Sequence, residues 1–384
     1  MKAPTSATRY VLLSVALLVF GTNLQGVLLP ILGAEHGAPM ITIGLFSSAW
    51  SAGFVLACLS VGRLLGALGH VRSFVALAGL SAFASLLLLY SGDWSWITLR
   101  AVIGFCFGGL STVIESWLLE SAGSGAFSGY MMVNLIASLS GTLSLDVVDP
   151  LGRAPFVLMT AAVALSSLPV LFARKGAVKP AAVTRFRLAP GRLYRRSPLG
   201  ATGVLAAGLI TGAVGGLGPV FGMEAGLSMG GDTLMLAANS IGGAFGYAQN
   251  ALLAERIGHR LLLVLTCMLG LLTCMPLALS AHALGYDLVV VLFGVFGFAQ
   301  YPLYGICVGL VNREAIGISA AQTASEVLLL FGLGTVAGPL CAAPLMRLGL
   351  NLFVFVACVL LALLVRLAIE VGPKGRSHHA RAPG

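Results

Sequence analysis

Charge is what this sequence has least of. Only 9% of its 384 residues are Asp, Glu, Lys or Arg, against roughly 25% in a soluble domain. With 58% hydrophobic residues and a mean hydropathy of +0.99, that scarcity excludes a water-soluble chain. The seven cysteines (Cys58, Cys106, Cys267, Cys274, Cys307, Cys341, Cys358) form no CxxC pair and have no histidine cluster beside them. They are expected to be small buried hydrophobes. The six histidines (His36, His70, His259, His282, His378, His379) are expected in loops or the tail, which argues against a metal or haem centre inside the apolar part. It also leaves an intramembrane nucleophile without a base, so no enzyme is expected. No P-loop or GxGxxG string is placed to cradle a nucleotide, and no cofactor is expected beyond a proton gradient.

Long apolar runs are abundant. Twelve recur along the chain, at 10–33, 41–65, 72–91, 96–119, 127–149, 154–173, 199–223, 232–254, 261–281, 286–311, 319–346 and 350–370. Most are close to the ~20 residues that carry a helix across a bilayer. The first exceeds the ~7–15 apolar residues of a signal peptide and lacks a small-residue cleavage site, so it reads as a retained span. The expectation is an all-α integral membrane protein of twelve transmembrane helices. Placing both termini in the cytoplasm puts Lys2, Arg9, Arg63, Arg72, Arg256, Arg260, Arg313, Arg366, Lys374, Arg376 and Arg381 inside, as the positive-inside rule requires. The stretch 174–198 joins them, with eight Lys and Arg and no acid. The net charge of +9 is therefore a topology signal that suits contact with anionic lipid, and nucleic acid is not an expected partner.

Residues 26–70 set against 215–259 match at fourteen of forty-five positions without a gap, including Pro30, Gly33, Glu35 and Gly37 against Pro219, Gly222, Glu224 and Gly226. Related strings follow: Gly104, Gly108 and Gly109 against Gly294 and Gly297, and Gly141-Thr142 against Gly334-Thr335. The expected domains are a six-helix half at 1–173, a basic cytoplasmic linker at 174–198, a second half at 199–371 and a basic tail at 372–384. An even helix number per repeat makes the halves parallel, with an axis along the membrane normal, the relation that suits alternating access around a midplane site.

The loops resemble the major facilitator superfamily, whose halves carry G-x-x-x-D-R-x-G-R-R between their second and third helices. The first copy runs from Gly62-Arg63 through Gly66 to Gly69-His70-Val71-Arg72, with Gly66 in place of the family's acid. The second keeps Glu255, Arg256, Gly258 and Arg260. The resemblance marks Gly62, Gly69, Arg72, Glu255, Arg256, Gly258 and Arg260 as gating-loop residues. Leu99-Arg100 with Gly104 and Gly108 looks like the family string linked to proton coupling. The fifth span lacks the Gly-Pro string of drug antiporters, since Ser140-Gly141-Thr142 has no proline. A closer resemblance, over nearly the whole chain, is to the YcaD-like permeases, a bacterial branch of the superfamily. It rests on Ser47-Ser48-Ala49-Trp50, Trp94-Ser95-Trp96, Glu115-Ser116, Tyr130-Met131-Met132, Gly297-Phe298-Ala299-Gln300-Tyr301-Pro302-Leu303-Tyr304 and Gly338-Pro339. It implies the major facilitator fold in a bacterial inner membrane and movement of a small molecule.

An ionisable side chain at membrane depth is expected to face a cavity or a partner. Glu115, in the fourth span, is the first candidate for proton coupling, with a structural carboxylate as the plain alternative. Arg100, fifteen residues earlier, is about 22 Å away along the helix, too far to pair with it. It is a candidate to bind an anionic substrate group or to balance Asp146 or Asp149. Glu326 is the second acid, near the repeat equivalent of Asn134, with cavity exposure an open question. Asn23, Gln25, Asn239, Gln300, Tyr301 and Tyr304 complete the substrate-binding set, each with interhelical bonding as the alternative. Tyr301-Pro302 is expected to break its helix locally. The expected activity is proton-coupled secondary transport by a monomer. An uncoupled facilitator, or a non-transporting receptor or scaffold on the same fold, is the rival.

Overall fold

The computed structural model describes residues 6–121, 123–172, 190–227, 231–280, 284–314 and 320–371. Most of the expected linker and the whole expected tail, with their basic residues, lie outside this set. The helices are α1 (Ser6–Glu35), α2 (Met40–Leu88), α3 (Asp93–Ser121), α4 (Gly123–Leu143), α5 (Ala154–Leu165), α6 (Ser167–Phe172), α7 (Pro190–Arg196), α8 (Pro198–Glu224), α9 (Gly231–Ile257), α10 (His259–Ser280), α11 (Tyr286–Glu314), α12 (Ala320–Arg347) and α13 (Leu352–Val371), with a 3-10 turn at Ser144–Asp146. Among the described residues there is no strand. Helix is the economical solution for apolar runs of this length, because in hydrocarbon every backbone amide and carbonyl must be satisfied within the segment.

Among the described residues, ten stretches are long and apolar enough to cross a membrane: α1, the two arms of α2, α3, α5 with α6, α8 and α10 to α13. The remaining two expected spans correspond to α4 and α9, which are 21 and 27 residues long. The Gly, Ser and Asn content of α9 lowers its hydropathy while suiting it to close packing. The second and third expected spans form one continuous run, α2, turned only at Gly69, whose φ of 73° and ψ of 172° interrupt the helix. Gly258, its repeat equivalent, separates α9 from α10 with φ 80°. Only glycine adopts this region without strain, so Gly69 and Gly258 are turn formers. Part of the expected linker is helical, as α7.

The same crossing occurs twice. A Cβ added to Gly53 on α2 would overlap the Ala101 carbonyl oxygen of α3, and one added to Gly104 would overlap the Trp50 carbonyl oxygen. In the second half Gly242 meets the Gly294 carbonyl and Gly297 meets that of Asn239. Positions 53 and 50 correspond to 242 and 239 in the gapless alignment, so the crossing also fixes the register of α3 on α11, with 104 on 297. Small residues let backbones approach where packing, not exclusion from water, drives association.

By internal packing the chain resolves into two compact units. One comprises Met1–Arg185, Gly215–Met223 and Leu227–Ala237, and the other Phe186–Val214, Glu224–Gly226 and Ala238–Gly384. Two stretches of the second repeat therefore belong with the first unit, where the sequence alone places a single division in the linker. Met223 and Leu236 pack on its core of Leu24, Leu28 and Trp96, and the Thr233 hydroxyl bonds to Asp146.

Three local expectations are corrected. Pro302 does not break α11, which runs unbroken from Tyr286 to Glu314; neighbouring helices and small local adjustments absorb a membrane proline. His70 and His259 are helical, and His70 is buried with its ring 5.7 Å from that of Trp117. Cys341 and Cys358 are exposed and Cys58 is half-buried, whereas Cys106, Cys267, Cys274 and Cys307 are buried. On the outside of a membrane helix a small apolar residue loses nothing by facing lipid.

Candidate functional site

The first unit separates its two ionisable candidates. Glu115, half-buried on α3, accepts a hydrogen bond of 3.3 Å from the Tyr130 hydroxyl of α4 and lies within electrostatic reach of Cys58 on α2. Among the described residues no cation pairs with it. The side chain of Glu120, expected at the cytoplasmic surface, lies outside the described residues.

Arg100 is 6% exposed. Its Nη1 donates to Gln25 Oε1 on α1 at 2.9 Å, its Nε donates to the Phe46 carbonyl of α2 at 3.3 Å, and its guanidinium carbon lies 5.8 Å from the centre of the Trp50 ring. Gln25 passes the connection on, donating to Ser85 Oγ at 3.2 Å. The expected balance by Asp146 or Asp149 does not form: Asp146 takes the Thr233 hydroxyl and Asp149 the Leu151 amide. Helix azimuth explains the difference, since α1 and α2 present neutral acceptors to that face of α3.

Asn23 serves two helices, donating to the Val19 carbonyl at 3.1 Å and accepting the Ser138 hydroxyl of α4 at 2.8 Å. This is the interhelical bonding that sequence reading held as its alternative. Asn134 is half-buried on α4. In the second unit, Asn239 on α9 and Gln300 on α11 are buried, and the Asn239 amide donates to Gln300 Oε1 at 3.4 Å. Tyr301 lies over Gly243, is hydrogen-bonded to Ser240 and meets Tyr247 edge-on at 6.0 Å. Tyr304 packs on Phe331 of α12 at 4.7 Å. Glu326 is fully buried in α12.

The gating-loop residues divide. Arg72, Glu255 and Arg256 are exposed, and Gly62 sits inside α2. Arg260 joins three helix ends: its Nη2 donates to Glu314 of α11 at 3.0 Å and to Glu370 of α13 at 2.9 Å. The Ser197 hydroxyl, between α7 and α8, donates to the other oxygen of Glu314 at 2.6 Å. With Arg260 46% exposed, solvent screening limits each pair to about 1 kcal/mol or less.

Sequence reasoning missed the partners: Tyr130 for Glu115, Phe46 and Ser85 around Arg100, and Tyr247 and Phe331 beside the tyrosines. One signal was available. Trp50 corresponds to Asn239 in the repeat, which places it at a site position in the other half.

Repeated helical halves with isolated ionisable groups inside them define a multi-pass membrane carrier. The chain belongs to the Major Facilitator Superfamily, whose profile matches residues 11–328. It is 28% identical to an uncharacterized MFS-type transporter of Enterobacter sp. (strain 638), over 94% of each chain. It is 26% identical to the uncharacterized MFS-type transporter YcaD of Salmonella typhi, over 97% of this chain and 98% of that one. The fold matches the crystal structure of the nucleoside transporter NupG with a TM-score of 0.74 at 14% identity, covering 95% of this chain and 97% of that one. It also matches a bacterial homologue of the human lysosomal transporter Spinster, inward-facing and occupied, with a TM-score of 0.65 at 13% identity and coverage of 94% and 93%. The protein is thus a multi-pass bacterial membrane transporter of the major facilitator fold, with a small molecule as its substrate.

Proposed function

We propose that this protein is a proton-coupled secondary transporter that moves a small organic solute across the bacterial inner membrane by alternating access. It works as a monomer with both termini in the cytoplasm, using the proton gradient and no bound cofactor or nucleic acid. One observation carries the coupling: a half-buried carboxyl, Glu115, accepts from the neutral hydroxyl of Tyr130 and, among the described residues, pairs with no cation. Such a group can gain and lose a proton without breaking an ion pair, and its partner sits on a different helix, so a shift of α4 against α3 alters its environment. The duplicated halves support alternating access, since two similar bodies can rock about a shared site. Asn239, Gln300, Tyr301 and Tyr304 supply hydrogen-bonding groups for the solute from the second half. Glu326, buried in α12, is the second acid for the proton path.

The experiment is uptake by proteoliposomes of purified protein under an imposed pH gradient, with nucleosides, organic acids and amphipathic drugs as solutes. Accumulation above the external concentration that collapses with a protonophore is the expected result. Uptake that never exceeds the external concentration would make the protein an uncoupled facilitator. If no solute moves at all, the receptor or scaffold reading replaces transport; the glycine at position 66, where the family's loop carries an acid, is the feature that favours it.

A further inference from the structure

The environment of Arg100 contains donors without acceptors. A guanidinium carries five N–H groups, and two of those of Arg100 are taken, by Gln25 and the Phe46 carbonyl. Both partners are neutral, and among the described residues no carboxylate pairs with the cation. The indole Nε1 of Trp50, whose ring lies beside the guanidinium, is buried and has no acceptor. A buried cation with neutral acceptors and a second donor beside it lacks an anion among the described residues.

Packing alone does not call for this cation. In the second half the equivalent of Arg100 is Phe293 and that of Gln25 is Val214, both fully buried. The same fold therefore fills this place with apolar side chains, and the Arg100–Gln25 pair is a departure peculiar to the first half.

Trp50, beside the guanidinium, is one of three half-buried rings that lie together. Trp50 stacks on Phe54 at 5.6 Å, and Phe107 lies 5.5 Å from Trp50 and 6.3 Å from Phe54. Their equivalents in the second half are Asn239, Gly243 and Gln300. One half thus offers amides where the other offers a cation bordered by aromatic surface.

We infer that Arg100 binds the carboxylate of an amphipathic organic anion, whose apolar body lies on the rings of Trp50, Phe54 and Phe107. The inference names the substrate class of the transporter proposed above and rests on that reading for its place in transport. Arg100 supplies charge and hydrogen bonds, the rings supply dispersion and apolar contact, and Gln25 orients the guanidinium.

The test is thermal unfolding of the detergent-purified protein with benzoate, phenylacetate and hexanoate, each beside its uncharged amide. The acids should raise Tm in a saturable way and the amides should not. Arg100→Gln should abolish the response, Trp50→Phe should weaken it several-fold, and Glu314→Gln, at the exposed Arg260 pair, should leave it unchanged. Acids that are silent on the wild type, amides that act equally well, or an acid response that survives Arg100→Gln would each overturn the inference. Should Arg100→Gln not fold, the wild-type comparison of acid with amide and the Trp50→Phe variant still decide. Uptake separates the two readings: acid binding without uptake by proteoliposomes retains the anion site and removes the transport role. Uptake of an uncharged solute that is indifferent to Arg100→Gln does the reverse.

Discussion

Glu115→Gln is expected to abolish accumulation driven by a pH gradient while counterflow exchange of the same solute continues. Glutamine keeps the size of the side chain and an oxygen to accept the Tyr130 hydroxyl, so the α3–α4 contact survives. What is lost is the exchangeable proton. A carrier locked in the neutral form can still cycle with solute bound on both sides, and exchange therefore persists at a rate close to that of the wild type. Coupled uptake should fall by at least about tenfold, equivalent to ~1.4 kcal/mol of lost driving force. The measurement is paired uptake and counterflow in proteoliposomes at two pH values. Loss of both activities would assign Glu115 to structure or to solute binding, and full pH-driven uptake would remove it from the proton path.

The largest effect on assembly is expected at the crossing of α2 and α3. Gly104→Val places a branched side chain where the Trp50 carbonyl oxygen already sits, and Gly53→Val does the same against the Ala101 carbonyl. Overpacking a core ordinarily costs about 1–3 kcal/mol because side chains can yield. Here the obstacle is backbone, so the helices must separate, and the cost should exceed that range. The variants should express poorly and elute as aggregate in size-exclusion chromatography. Gly26→Ala is the contrast: its added Cβ meets nothing within 4 Å, and its elution should match the wild type. A monodisperse Gly104→Val protein of normal Tm would show that the two helices do not approach as described.

What the sequence made legible was periodic or repeated. The spans could be read because apolar length is a direct consequence of bilayer thickness, and the duplication because Pro, Gly and Glu recur at fixed spacing. Even Gly69 and Gly258 could be recognised as equivalent before their shared backbone conformation was seen. The contacts of the site were harder to read. Gln25 and Arg100 are 75 positions apart, and their meeting depends on the azimuth of two helices that are apolar almost all round, so no amphipathic stripe announces which face turns inward. Expecting an acid near Arg100 followed charge pairing, whereas the structure uses an amide, a carbonyl and an indole face. Expecting Pro302 to break its helix followed aqueous experience, in which a freed carbonyl goes to water; inside a bundle the helix continues.

The crossing helices of the two halves also divide bulk differently. In the first, the backbone of Phe54 on α2 lies against Gly108 on α3; in the second, Gly243 on α9 lies under the ring of Tyr301 on α11. The two pairs occupy equivalent positions, with the ring on opposite partners. The Phe54 ring turns to Trp50 and Phe107, whereas the Tyr301 ring covers the glycine of the opposite helix. The duplicated halves therefore put their bulk on opposite partners of the crossing, and with it a different chemistry: a bare phenyl in one half and a phenol in the other.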